Sequence, residues 1–247
     1  RPTIDDTSYA INMYEPEYGK TAPEGSLLFD TTEVQNSYGI YIQDQVDITE
    51  KWKMQIGGRY DWFDQRIDNH KNLTRSEADK STFSPRAGLV YAHSEDLQFY
   101  SSYSEGFRPN SGFDADGEAF EPEETTSIEV GVKFNTDIVS GSFTVFNAQK
   151  SNMLSTDVQA GVSRALGEVT SEGVELDLHG NITSQTSFDL AYTYTDAKTA
   201  KDTVNTDWWV SLPKGTPLLN IPKHSANVRI KRELSDLIDS NSTVGVS

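Results

Sequence analysis

The chain has 247 residues, a formal net charge of −17 and no cysteine. The acidic balance argues against nucleic acid as a partner, because phosphate binding needs a basic face. The missing thiols exclude disulfide scaffolds and thiolate metal sites.

Mean hydropathy is low, at −0.57. That value reads as a soluble protein, but a membrane β-barrel gives the same reading, because only every second strand residue meets lipid and its loops are polar. The sequence has no initiator Met, no signal-peptide pattern and no apolar run near the roughly 18 residues of a transmembrane helix. It stops at "SNSTVGVS", inside an alternating pattern. It therefore reads as a piece of a longer chain, cut at both ends.

Taken in order, residues 1–36 are polar and irregular. "YGIYIQDQVDI" then puts Tyr38, Ile40, Ile42, Val46 and Ile48 in one phase, with Asp44 the exception. "WKMQIGGRYDW" sets Trp52, Met54, Ile56, Gly58, Tyr60 and Trp62 against Lys53, Gln55, Gly57, Arg59 and Asp61. Weaker alternation follows at 84–92 and 97–107. "SIEVGVKF" sets Ile128, Val130, Val132 and Phe134 against Glu129, Gly131 and Lys133. After a weaker run at 141–149, "GVELDLHGNI" sets Val174, Leu176 and Leu178 against Glu175, Asp177 and His179. "SFDLAYTYT" contributes Phe188, Leu190, Tyr192 and Tyr194, and "SANVRIKR" sets Ala226, Val228 and Ile230 against Asn227, Arg229 and Lys231. A last weak run covers 242–247. Period two predicts strands. With about ten of them and no amphipathic helix, the fold class is all-β.

The links alternate in length. "TEKW", "HSEDL", "NTDIVSG" and "TSQTS" are short. The polar stretches after 63, after 107, over 150–168 and over 196–221 are long. An antiparallel up-and-down meander closed into a barrel predicts this, with tight turns at one rim and function at the other. A compact soluble domain rarely holds so many long loops, although lectin-like sandwiches do. In the barrel reading, the Trp-Met-Ile-Tyr-Trp face meets hydrocarbon, with Trp52 and Trp62 at aromatic girdles. The alternative is a one-sided sheet packed on a soluble core.

Chemical motifs are absent. His70, His93, His179 and His224 lack metal-ligand spacing, and there is no nucleophile elbow, phosphate loop or zinc-protease helix motif. The acids of "EPEETT" open a strand and do not fix a glycosidase separation. The sequence predicts no enzyme, no metal site and no cofactor.

"YGIYIQDQVDITEKWKMQIGGRYDWFD" resembles the barrel of TonB-dependent outer-membrane receptors of the ferric hydroxamate, or ferrichrome, siderophore type. "SPRAGLVY", "FYSSYSEGFRPN", "FEPEETTSIEVGVKF", "GEVTSEGVELDLHG", "LAYTYTDAK" and "NIPKHSANV" follow in that family's order, and "NMYEPEYG" is similar to its N-terminal loop motif. The resemblance implies a transmembrane β-barrel of about 22 strands around a plug. This chain would be a partial barrel, a middle arc near strands 10 to 19, with the plug domain and the TonB-binding segment outside it. Residues 1–36 would be an extracellular loop, and 37–247 strands with long outer loops and short periplasmic turns. Such an arc alone would leave open edges and aggregate.

The resemblance further implies a bacterial outer-membrane transporter that binds a ferric siderophore and imports it with energy from TonB–ExbB–ExbD, contacted through the plug. Lipid and lipopolysaccharide would surround the wall. The alternatives are a passive porin-type barrel and a soluble β-rich binding domain. A siderophore brings its metal already chelated, so the receptor needs aromatic faces and donors rather than metal ligands. The candidates are Tyr14, Tyr18, Phe107, Arg108, Trp208 and Trp209. A second set, Arg59, Asp61, Glu129, Lys133, Glu175, Asp177, Arg229 and Lys231, would face the plug.

Overall fold

The computed structural model describes residues 2–3, 13–16, 18–19, 26–27, 30–71, 73–112, 120–157, 162–205, 210–234 and 243–246. Among them the chain is all strand and turn. Its elements are β1 (Pro2–Thr3), β2 (Ser26–Leu27), β3 (Thr31–Asp47), β4 (Trp52–Asn69), β5 (Thr74–Ala92), β6 (Leu97–Arg108), β7 (Glu123–Asn135), β8 (Val139–Asp157), β9 (Val162–Thr183), β10 (Thr186–Thr199), β11 (Thr203–Asn205), β12 (Val210–Leu212), β13 (His224–Glu233) and β14 (Thr243–Val246). Ten of these form one sheet in the order β14-β13-β10-β9-β8-β7-β6-β5-β4-β3. Every pairing in it is antiparallel. β1 pairs with β2, and β11 with β12, as two small separate ladders.

Three of the tight turns at one end are capped by threonine hydroxyls that serve their free amides. Thr49 Oγ1 accepts from the Trp52 N–H at 3.0 Å between β3 and β4. Thr136 Oγ1 accepts from the Val139 N–H at 3.0 Å between β7 and β8. Thr183 Oγ1 accepts from the Gln185 N–H at 3.3 Å between β9 and β10. Side-chain capping of this kind closes a turn in few residues.

At the other end two long links prove to be mostly strand. The polar stretch after Phe63 continues β4 to Asn69 and opens β5 at Thr74. The 150–168 stretch belongs largely to β8 and β9. β3 likewise begins at Thr31. In these hairpins both faces carry polar side chains, so apolar alternation fades while the hydrogen-bond ladder continues.

Register fixes one face across the whole sheet. Val46, Met54, Leu89, Ser101, Val130, Val145, Val174, Tyr194 and His224 are successive cross-strand partners. The adjacent row on the other face runs Gln45, Gln55, Gly88, Ser102, Glu129, Phe146, Gly173 and Thr195. One face is therefore aliphatic and aromatic, and the other polar.

Nothing in the described structure covers the apolar face. Its Tyr38, Ile42 and Val130 are 68%, 78% and 56% exposed, and the only buried apolar residues among those described are Phe63, Val169 and Ala197. A soluble one-sided sheet would bury that face in a core. Continuous exposed apolar surface of this extent is suited to hydrocarbon. From Trp52 to Trp62, at about 3.3 Å per residue and a tilt of roughly 40°, the span projects to about 25 Å, the height of the apolar band of an outer-membrane barrel.

Candidate functional site

The polar face gathers side chains most densely where β6 leaves the wall. Parity along β6 and β7 puts Arg108 opposite Glu123. Arg108 Nη2 lies 3.0 Å from Glu123 Oε2, and Lys150 Nζ lies 2.8 Å from Glu123 Oε1. The Glu123 side chain is 7% exposed while that of Arg108 is 73% exposed. One shielded carboxylate thus holds two cations at the rim, and the Arg108 guanidinium keeps donors pointed at solvent. Next to them Lys80 Nζ meets Glu121 Oε1 at 2.6 Å.

The backbone beyond Arg108 bends back over β4. Phe107 stacks on the buried Phe63 ring, with centroids 5.9 Å apart and planes inclined by 21°. Gln65 Nε2 donates to the Asn110 carbonyl at 3.2 Å and to Glu33 Oε1 at 2.5 Å. Ser111 Oγ donates to the other oxygen of Glu33. Gln65 and Asn110 are 3% and 6% exposed. Buried amides persist only when paired, and each of these is.

The six sequence candidates divide accordingly. Phe107 and Arg108 come together at this rim, each already engaged by the wall. Tyr14 and Tyr18 are strongly exposed. Trp208 and Trp209 lie outside the described residues. Sequence reasoning missed Gln65, Asn110, Glu123 and Lys150. The only available signal was the polar residue straight after Arg108-Pro109 and the acidic run before β7. This rim presents the exposed Arg108 guanidinium beside the Phe107 ring, while the Gln65 and Asn110 amide donors are already engaged by protein oxygens. Among the described residues no cluster of three or more His, Asp or Glu could hold a metal ion.

Lower on the same face, Arg59 Nε reaches both oxygens of the buried Asp61 at 2.8 Å. Lys133 Nζ sits 5.5 Å from the centroid of the Tyr100 ring. Glu129, Glu175, Asp177, Arg229 and Lys231 point the same way by register.

The family model "TonB dependent receptor-like, beta-barrel" matches residues 3–237. The chain belongs to the TonB-dependent receptors. It is 32% identical over 231 residues to the metal-pseudopaline receptor CntO of Pseudomonas aeruginosa, covering 89% of this chain and 31% of that protein. It is 32% identical over 234 residues to the ferrichrome outer membrane transporter/phage receptor of Escherichia coli, covering 91% of this chain and 30% of that one. The fold matches the siderophore receptor PiuA of Acinetobacter baumannii with a TM-score of 0.69 at 22% identity, over 82% of this chain and 32% of that structure. The chain spans about a third of the length of the curated relatives it matches. For a TonB-dependent receptor the two faces have a direct meaning. The apolar face is outer-membrane wall, and the polar face lines the lumen. The relatives are receptors and transporters, not enzymes.

Proposed function

We propose that the protein containing this wall is an active outer-membrane transporter that binds a ferric siderophore outside the cell and imports it with TonB-coupled energy. The family match over nearly the whole chain carries this reading. Relatives named for ferrichrome and ferrioxamine B support the hydroxamate class of cargo. In this reading Phe107 and Arg108, with Tyr14, Tyr18, Trp208 and Trp209, belong to the capture surface. The wall pre-orients Phe107 and Arg108, so less side-chain entropy is lost when the chelate docks. A wrapped chelate presents carbonyl and hydroxamate oxygens, which suit an exposed guanidinium.

The lumenal charges face a plug. Glu129, Glu175, Asp177, Arg229 and Lys231 have no ion pair among the described residues, consistent with partners supplied from inside the barrel. The plug in turn would contact TonB–ExbB–ExbD, and the lipid face would meet outer-membrane lipid and lipopolysaccharide. Residues 1–36 would form an outer loop, apart from the start of β3.

The test is growth of an iron-starved, receptor-deficient strain carrying the full-length gene on a panel of ferric siderophores. Rescue by at least one hydroxamate chelate, dependent on TonB, is the expected result. Rescue by none would count against iron uptake, and rescue without TonB would favour a passive barrel.

A further inference from the structure

Asn110 and Asn152 bind the mouth of the loop between β6 and β7 with their side-chain amides. Asn110 Nδ2 donates to the Glu121 carbonyl and to the Asn152 carbonyl, each at 2.7 Å. Asn152 Nδ2 donates to the Pro122 carbonyl at 2.9 Å. The Asn110 carbonyl is meanwhile held from β4 by Gln65. Asn152 has a φ of +56° and lies where the β8–β9 register shifts, between Lys150 and Met153. Asparagine adopts this left-handed backbone more readily than most residues, and a bulge re-aims the groups it carries. Here it turns the Asn152 carbonyl and amide toward the loop rather than along the ladder. The Phe120 N–H also reaches the Gly112 carbonyl at 3.5 Å, pinching the same stem.

We infer that Asn110 and Asn152 form a clasp that fixes the stem of this loop and so positions Phe107 and Arg108 for ligand. Both ends of the loop are served: Asn110 lies on the outgoing end, and Glu121 and Pro122 on the returning end. Along the chain, the stem it holds begins two residues after Arg108 and ends at Pro122, just before Glu123, the partner of Arg108. Proline at 109 and 122 leaves the stem short of backbone donors, so side-chain amides supply the bonds the backbone lacks. Both asparagines act through Arg108 and Phe107 and are positioning residues. Their effect on ligand rests on the receptor reading above, but the clasp itself does not.

The test uses the full-length receptor in outer-membrane vesicles. Asn110→Asp keeps the shape but loses both donors and faces a carboxylate toward two carbonyl oxygens. Asn152→Gly keeps the positive φ and the carbonyl that Asn110 uses, and removes only the Pro122 bond. Amide deuterium exchange is followed over 110–112 and 120–121. Asn110→Asp should exchange at least about tenfold faster there, and Asn152→Gly less so, with β4 and β8 below the rim unchanged. No local acceleration in either variant would overturn the clasp. Binding of ferrichrome and ferrioxamine B is measured on the same vesicles at matched receptor amounts. Weakening by Asn110→Asp, with partial retention in Asn152→Gly, is expected. Faster exchange with binding unchanged would overturn the positioning role. If the unmodified receptor binds neither these chelates nor any on the growth panel, the siderophore reading fails, and the exchange data still decide the clasp.

Discussion

Tyr100 ties three strands together at a place no spacing rule would find. Its ring crosses β7 at Gly131, where a Cβ would lie 2.6 Å from Tyr100 Cζ, and its hydroxyl meets Thr144 Oγ1 of β8 at 2.6 Å. Gly131 is therefore required for the close approach of a neighbour's ring, not for backbone freedom. In the sequence Gly131 showed only as a polar-phase residue between Glu129 and Lys133. The same limit applies to Phe107, which was legible as an aromatic where its strand leaves the wall but not as the partner of Phe63. Alternation assigns a face; it does not say who lies across whom. In the full-length receptor, Tyr100→Phe should cost about 1 kcal/mol of stability from the lost hydrogen bond. Gly131→Leu should cost about 1–3 kcal/mol by displacing the ring. Combining Gly131→Leu with Tyr100→Ala should cost less than the sum of the two single changes, because the clash is removed. Thermal unfolding in detergent, followed by loss of β circular dichroism, reads all four. Strict additivity would mean that the ring and the glycine do not interact.

At the scale of elements, the strands were legible only where their two faces meet different solvents. β7 lies largely within the wall, and "SIEVGVKF" announces it. The top of β4 and the start of β5 hold the same ladder, pairing Asp68 with Arg75, yet "DQRIDNHKNLTRSEADKST" reads as loop because both of its faces carry polar side chains. What holds that projecting hairpin is charge rather than apolar contact. Arg75 Nε lies 2.6 Å from Asp68 Oδ1, and Arg66 Nε 3.2 Å from Oδ2. The hydrogen bond from Arg75, aided by the Arg75 and Arg66 charges, holds the Asp68 carboxyl below its ordinary value. A carboxylate stabilised in the folded hairpin contributes fully above the ordinary carboxylate value of about 4, and that contribution is lost as pH falls through the lowered native one. Amide exchange at the tip, corrected for intrinsic rates, should therefore accelerate below about pH 4, while the wall strands stay protected. Arg75→Gln should remove most of that acid dependence and make the tip more open at neutral pH. An acid response unchanged by Arg75→Gln would place the effect on another group.

For the molecule as a whole, one physical asymmetry organises everything else. The row through Met54, Val130, Val145 and Val174 has no protein layer over it. The row beside it, through Gln55, Ser102 and Glu129, lines the side to which Arg59, Asp61 and Lys133 also point. This much was written in the sequence, since a one-residue slip in any strand would carry polar groups into lipid. The loop stem at Asn110 was not, because its bonds join residues from four separate strands and loops. The asymmetry predicts opposite environments for adjacent residues. Spin labels introduced singly at Met54 and Gln55 of the full-length receptor, reconstituted in bilayers, should report collisions with oxygen dissolved in lipid at 54 and with a polar relaxant at 55. Val130→Arg offers a second reading of the same face. A cation there meets hydrocarbon and should destabilise the barrel by about 2–4 kcal/mol near the midplane, whereas Ser102→Arg on the lumenal face pays no such lipid penalty. Labels at 54 and 55 with equal oxygen accessibility, together with a Val130→Arg receptor as stable as the parent, would mean that lipid does not cover this face, and the membrane-wall account of the sheet would fall.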